Sequence, residues 1–75
     1  MSLPHLYEVI ADSIRMDIEA GRLKPGDKLG NLKELQTQYN TSYGTIRSAL
    51  LVLKAQKIIY GMQGIGCFVA DQDYM

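Results

Sequence analysis

The chain has 75 residues, of which 47% are hydrophobic and 21% charged, and its formal net charge is zero. This length allows a single domain, residues 1–75, and the composition excludes a disordered chain. No apolar run approaches the roughly 18 residues of a membrane span, and no secretory signal is visible, so we expect a cytoplasmic protein without a membrane partner.

The first predicted element is an amphipathic helix over residues 6–20. Apolar side chains recur there at steps of three and four, with charged residues between them: Tyr7, Ile10, Ala11, Ile14 and Ile18. Gly21 stands where a helix commonly ends in a left-handed residue. Residues 24–27, Lys-Pro-Gly-Asp, predict a tight turn, and we expect Leu29 beyond it to be buried.

A short second helix is predicted over residues 31–39. Asn31 can cap it, and Glu34 three residues later can reach back as in a capping box. Asn40 is a suitable left-handed stop, because asparagine tolerates that conformation better than most residues.

The third predicted helix covers residues 42–56, with Ser42 as its cap. Its core face has the spacing of one helical stripe: Ile46, Ala49, Leu50 and Leu53. The link to the second helix is so short that the two must turn sharply against each other. This arrangement is typical of a helix-turn-helix unit.

The pattern then changes to short β-branched and aromatic runs at 58–60 and 67–69, separated by glycines. Such a pattern predicts a β-hairpin over residues 58–70. The expected fold is therefore mainly α with a small β-hairpin: a winged helix-turn-helix of three helices followed by a two-stranded wing.

The charges are unevenly distributed along the chain. Residues 1–27 carry three basic and five acidic side chains, residues 28–70 carry five basic and one acidic, and the tail adds Asp71 and Asp73. Because a protein's field acts locally over roughly 10 Å at physiological salt, a neutral chain of this kind can still present a cationic face. Zero net charge alone therefore does not exclude nucleic acid as a partner.

Other chemistry has little support. The single cysteine, Cys67, excludes an internal disulfide and is expected to be a small buried apolar residue, and His5 has no ligand partner. The sequence shows no nucleophile paired with a base, so no enzymatic activity, metal or cofactor is expected. Gly64-Ile65-Gly66 lacks the strand-to-helix context of a nucleotide-binding loop.

Four segments together resemble the DNA-binding domain of the GntR family of bacterial transcription regulators. They are Gly21-x-Leu23-x-Pro25-Gly26-Asp27-x-Leu29, Glu34-Leu35, Ser42-x-Gly44-Thr45-Ile46-Arg47-x-Ala49-Leu50-x-x-Leu53, and Gln63-Gly64-Ile65-Gly66-Cys67-Phe68-Val69. The resemblance covers residues 7–69. It implies a symmetric homodimer on a palindromic operator, formed through a domain that this chain does not include. Neither the effector nor the operator sequence is indicated.

Several positions depart from the family pattern. Gly30-Asn31-Leu32-Lys33 stands where members usually have Pro-Ser-Glu-Arg, and Tyr43 stands where they usually have arginine. In the wing, Ile65 and Cys67 replace the usual basic residue and threonine. Of three arginines that the family commonly directs at the operator, only Arg47 is unchanged.

Seven residues are predicted to contact double-stranded DNA: Lys33, Ser42, Tyr43, Thr45, Arg47, Gln63 and Gly64. Arg47 can pair with guanine in the major groove, and Lys33 is expected to bind phosphate. Thr45 can contact phosphate or a thymine methyl group. Ser42 is a helix cap first, and Tyr43 either contacts the backbone or has no role.

The wing residues Gln63 and Gly64 are expected near the minor groove, with a plain tight hairpin as the alternative. The sequence thus predicts the operator-binding domain of a transcription regulator, expected to be a repressor. The thinned arginine set and the uncharged Ile65 keep a second hypothesis open. In that hypothesis the winged helix is a protein-interaction module with weak or no DNA binding.

Overall fold

The computed structural model describes residues 5–71, which form three helices and a three-stranded sheet. The elements in chain order are α1 (Leu6–Glu19), β1 (Lys28–Gly30), α2 (Leu32–Tyr39), α3 (Tyr43–Ala55), β2 (Ile59–Met62) and β3 (Gly66–Val69). The predicted winged helix-turn-helix is confirmed. Asp73 of the acidic tail lies outside the described residues.

Each helix begins and ends within one residue of its predicted bounds, because the predicted ranges included residues that cap the helices. Gly21 follows the end of α1 with a φ of 84°, and Asn40 ends α2 in the left-handed conformation with a φ of 50°. At the start of α2, Asn31 Oδ1 accepts a 2.7 Å hydrogen bond from the Glu34 amide, and Glu34 Oε1 accepts a 2.9 Å bond from the Asn31 amide. This reciprocal capping box satisfies two amides that the helix itself leaves without partners.

Replacing Asn31 with alanine removes one half of this box. The expected result is a loss of about 1 kcal/mol from the free energy of unfolding, since the Glu34 amide loses its acceptor. Urea unfolding followed by circular dichroism measures this loss. Gln38→Ala, at an exposed position of the same helix, is the control. An equal loss in both variants would contradict the role of the cap.

The predicted hairpin forms from β2 and β3, but β3 also pairs with a strand that the sequence did not indicate. The sheet order is β1-β3-β2, and both pairings are antiparallel. The Lys24–Asp27 turn closes with a 2.9 Å bond from the Asp27 amide to the Lys24 carbonyl, and β1 follows it directly. Leu29, expected to be buried, is half-buried and packs against the core.

One core joins the helices and the sheet. It combines the inner faces of α1 and α3 with residues of α2 and the strands: Ile10, Ala11, Ile14, Leu35, Ile46, Ala49, Leu50, Leu53, Ile59, Cys67 and Val69. Cys67 is buried as expected, with its thiol free. Because β2 and β3 contribute to this core, the wing has a fixed base beside α3.

Candidate nucleic-acid interface

A groove of about 900 Å³ lies between the first turn of α2, one face of α3 and the wing. Here it is named the α3–wing groove. Five of the seven predicted DNA contacts line it: Lys33, Tyr43, Arg47, Gln63 and Gly64. They converge because only residues 40–42 separate α2 from α3, and only residues 56–58 separate α3 from β2. The fold therefore brings together residues that are 31 positions apart in the chain.

Three cations line the α3–wing groove, and no aspartate or glutamate of residues 5–71 does. The cations are Lys33, Arg47 and Lys54, all exposed. Within the described part of the chain, no carboxylate lies within salt-bridge distance of any of them. Their charges are therefore available to an anionic partner.

The arginines at the amino-terminal side are in a different situation. The Arg15 guanidinium pairs with Asp12 one turn earlier on α1, and Arg22 Nε lies 2.8 Å from Asp17 Oδ1. Each of these cations is thus accompanied by a local carboxylate. The basic middle segment of the sequence therefore supplies the cations of the α3–wing groove, and these cations have no carboxylate partner among the described residues.

Lys54 is the one cation of the three in the α3–wing groove that was not predicted to contact DNA. It follows Arg47 by seven residues, which is about two helical turns, so both side chains lie on one face of α3. A Cβ placed on Gly61 would lie 3.2 Å from Lys54 Nζ, which shows how closely the lysine approaches β2. The seven-residue spacing from Arg47 is the feature of the sequence from which Lys54 could have been predicted to lie on the same face.

At the amino end of α3, two predicted contacts bond to each other. Ser42 Oγ accepts a 3.3 Å hydrogen bond from the Thr45 amide, and the two hydroxyl oxygens lie 3.0 Å apart. Ser42 is therefore a helix cap, as its first interpretation held. Neither residue lines the α3–wing groove, whereas Tyr43 between them does and is exposed.

The wing ends in a tight turn at the mouth of the groove. The Ile65 amide donates a 3.0 Å hydrogen bond to the Met62 carbonyl, and Gly64 has a φ of 79°. A Cβ on Gly64 would meet nothing within 4 Å, so the glycine is needed for its conformation and leaves space beside it. Gln63 is exposed next to it.

The groove also has exposed apolar side chains, of which the sequence pointed only to Ile65. Leu51, Met62 and Ile65 all line it and are exposed. Within residues 5–71, no helix is long and apolar enough to cross a membrane. In the same residues, no group of three histidine, cysteine, aspartate or glutamate side chains could hold a metal ion.

A short turn between α2 and α3, a hairpin beside α3 and a cationic groove between them define a winged helix-turn-helix DNA-binding domain. Residues 6–69 match the family model described as bacterial regulatory proteins, gntR family. The chain belongs to this family, as the four sequence segments predicted.

Known proteins resemble the chain in both sequence and structure. It is 45% identical over 67 residues to the mannosyl-D-glycerate transport/metabolism system repressor MngR of Escherichia coli K12. It is 35% identical over 66 residues to the arabinose metabolism transcriptional repressor of Halalkalibacterium halodurans. These matches cover 89% and 88% of this chain but only 28% and 18% of the two repressors.

A solved structure shares the fold closely. The crystal structure of AraR(DBD) in complex with operator ORX1 matches with a TM-score of 0.88 and 33% identity. The match covers 93% of this chain and 87% of that one.

Proposed function

We propose that this domain binds double-stranded DNA sequence-specifically, as the operator-binding part of a transcriptional repressor. The observation that carries the proposal is the α3–wing groove, which collects three cations and no carboxylate of the described residues. The similarity to AraR(DBD), solved with an operator, and to two proteins named as repressors supports it.

In the proposed complex, α3 enters the major groove. Arg47 is exposed and points away from the core, so its guanidinium can form two hydrogen bonds with guanine O6 and N7. Thr45, at the amino end of the helix, is assigned to the nearby phosphate through its hydroxyl or to a thymine methyl group through its own methyl. Ser42 is the helix cap first, and its hydroxyl is assigned a second contact to phosphate. The hydroxyl of Tyr43 is assigned to the sugar–phosphate backbone.

The remaining residues of the α3–wing groove are assigned to the DNA backbone and to the minor groove of the duplex. Lys33 and Lys54 are assigned to phosphates, because an ammonium group is a point charge that suits a phosphate oxygen. Gln63 and Gly64 are assigned to the minor groove at the wing. The backbone of one DNA strand then runs through the α3–wing groove, between α3 in the major groove and the wing in the minor groove.

We also infer where the domain acts and how it assembles. We infer that residues 1–75 act as one non-enzymatic, cytoplasmic domain, since a DNA-binding regulator must reach the chromosome. We also infer a homodimer on a palindromic operator, through a region outside this chain. The much greater length of the two repressors supports this inference.

The decisive experiment is duplex binding as a function of salt. The domain is first used to select its preferred duplex from a pool with a randomised segment, and affinity for that duplex is then measured over a salt series. The logarithm of the binding constant should fall linearly with the logarithm of salt concentration, because each neutralised phosphate releases counterions. No duplex binding at low salt would contradict the proposal and favour a protein-interaction module.

Lys54→Ala and Lys33→Ala sharpen this experiment. Each should make the salt slope shallower by about one and weaken binding similarly on all duplexes, as expected when a phosphate contact is lost. Lys24→Ala is the matched control, since it removes an equal charge from an exposed lysine that does not line the groove. An equal change of slope in the control would mean that net charge, rather than position, determines binding.

A further inference from the structure

The tip of the wing presents an apolar side chain where it meets solvent. Ile65 is 52% exposed and stands between Gly64 and Gly66, whose φ angles are 79° and 140°. Neither neighbour has a side chain that could shield it. The isoleucine side chain has no polar atom, so a partner that covers it breaks no hydrogen bond to water. Covering it is favourable because apolar surface is removed from water.

The tip is held firmly at its base. The Ile65 amide bonds to the Met62 carbonyl, and Met62 pairs with Gly66 across the hairpin. On the other side of β3, a Cβ on Gly66 would lie only 3.0 Å from Lys28 Cε, so β1 braces the strand from which the tip projects. Isoleucine itself is stiff, because its branched Cβ restricts its first side-chain torsion. Little freedom is therefore lost when the tip is buried.

We propose that Ile65 enters the minor groove of bound DNA and selects A·T over G·C base pairs there. This inference rests on the proposed DNA binding and adds a determinant of specificity to it. The residues around Ile65 favour DNA as the partner that covers this side chain. Ile65 lines the α3–wing groove together with Lys33, Arg47 and Lys54. No carboxylate of the described residues lines this groove, so the anionic DNA backbone fits next to Ile65.

The selection is steric. In the minor groove, A·T and T·A pairs present only acceptors, whereas G·C pairs add the N2 amino group of guanine. Ile65 has no donor for the acceptors, but its methyl groups compete with that amino group for space. It therefore excludes G·C without distinguishing A·T from T·A. Apolar residues are known to insert at minor-groove steps, where they also kink the duplex.

The test uses base analogues that alter only the minor groove. In the duplex selected by the domain, adenines are replaced one at a time by 2,6-diaminopurine, which adds an N2 amino group and leaves the major-groove pattern unchanged. The wild-type domain should lose affinity about fivefold, the lower limit for a mismatched pair, at one or a few adjacent positions. A G·C pair placed at one of those positions should also weaken binding. Replacing its guanine with inosine, which removes the N2 amino group and keeps the major-groove pattern of guanine, should recover the part of the loss that arises in the minor groove.

The variants separate this inference from its premise. Ile65→Ala should bind the duplex but lose the sensitivity to diaminopurine, whereas Ile65→Val should retain it. The salt slope should be equal in all three proteins, because the contact is uncharged. Met16→Ala, at an exposed apolar position of α1, is the remote control.

Three outcomes would overturn the inference. Equal diaminopurine sensitivity in the wild type and Ile65→Ala, with duplex binding intact, would refute it and leave the proposed function standing. A uniform affinity loss in Ile65→Ala with unchanged sensitivity would refute selection in favour of plain contact. Absence of duplex binding in every protein would refute both the inference and the proposed function.

Discussion

Arg47→Ala should weaken binding of the domain to its preferred duplex by roughly 1–3 kcal/mol and relax specificity at one base pair. The reason is geometric: arginine bonds guanine through two parallel contacts, and no neighbouring side chain of α3 can replace them. Arg47 is exposed and has no carboxylate partner within residues 5–71, so its removal should leave folding unchanged. Competition binding against duplexes altered at one base pair at a time measures both effects.

Two further variants identify the kind of contact. Arg47→Lys should retain the salt slope of the wild type but not its base discrimination, since lysine keeps the charge and loses the planar fork. Arg22→Ala, outside the groove and paired with Asp17, should change neither. If Arg47→Ala weakened binding equally on every duplex, Arg47 would be reassigned to the phosphate backbone.

Leu53→Ala should remove about 2–5 kcal/mol from the free energy of unfolding. Leu53 has 0% of its surface exposed and lies in the core face of α3. A domain of this size has a small core and little stability in reserve, so the variant should be largely unfolded near physiological temperature. Thermal and urea unfolding followed by circular dichroism measure the loss.

Leu51→Ala is the matched control for this prediction. It makes the same chemical change two residues away on the same helix, but Leu51 is 52% exposed. Its unfolding free energy should change by no more than about 0.5 kcal/mol, as for most surface substitutions. Equal destabilisation by the two substitutions would show that helix propensity, rather than burial, determines the effect.

The helices were predictable because their signals are local. A capping residue, a left-handed stop and a repeating apolar stripe lie within a few residues of the backbone that they organise. Asn31 and Asn40 define the two ends of α2 in this way, and α1 begins at the predicted Leu6. The turn at 24–27 was predictable for the same reason, since proline fixes its own φ and glycine accepts the positive φ that the turn requires, 88° at Gly26.

Strand β1 was not predictable, because it forms by pairing with β3, which lies far along the chain. Lys28–Gly30 has one apolar residue, no alternation and a glycine, and it becomes a strand only by pairing with residues 67 and 68. The β1–β3 register also shifts between Lys28 and Gly30. No pattern within three residues can signal a partner that lies far along the chain.

The groove was predictable in part. Arg47, Lys33 and the wing turn were identified because a family resemblance assigned them roles. Lys54 matched no family position, and its place in the groove becomes evident only when α3 is seen beside β2 at Gly61. The sequence also does not show which cations have a carboxylate partner. Arg15 and Arg22 carry the same charge as Arg47, and only the structure shows that they pair with aspartates.

The placement of β3 between β1 and β2 has a consequence for how the domain arises during translation. The middle strand is the last one made, so until residues 66–69 emerge from the ribosome neither outer strand has its hydrogen-bonding partner. Val69, fully buried, also completes the core at this stage, and its amide bonds to the Asp27 carbonyl. Helices α1 to α3 can form earlier, but a nascent chain that stops before Gly66 has neither a sheet nor a wing. A ribosome must therefore release residues 66–69 before the sheet and the wing can form.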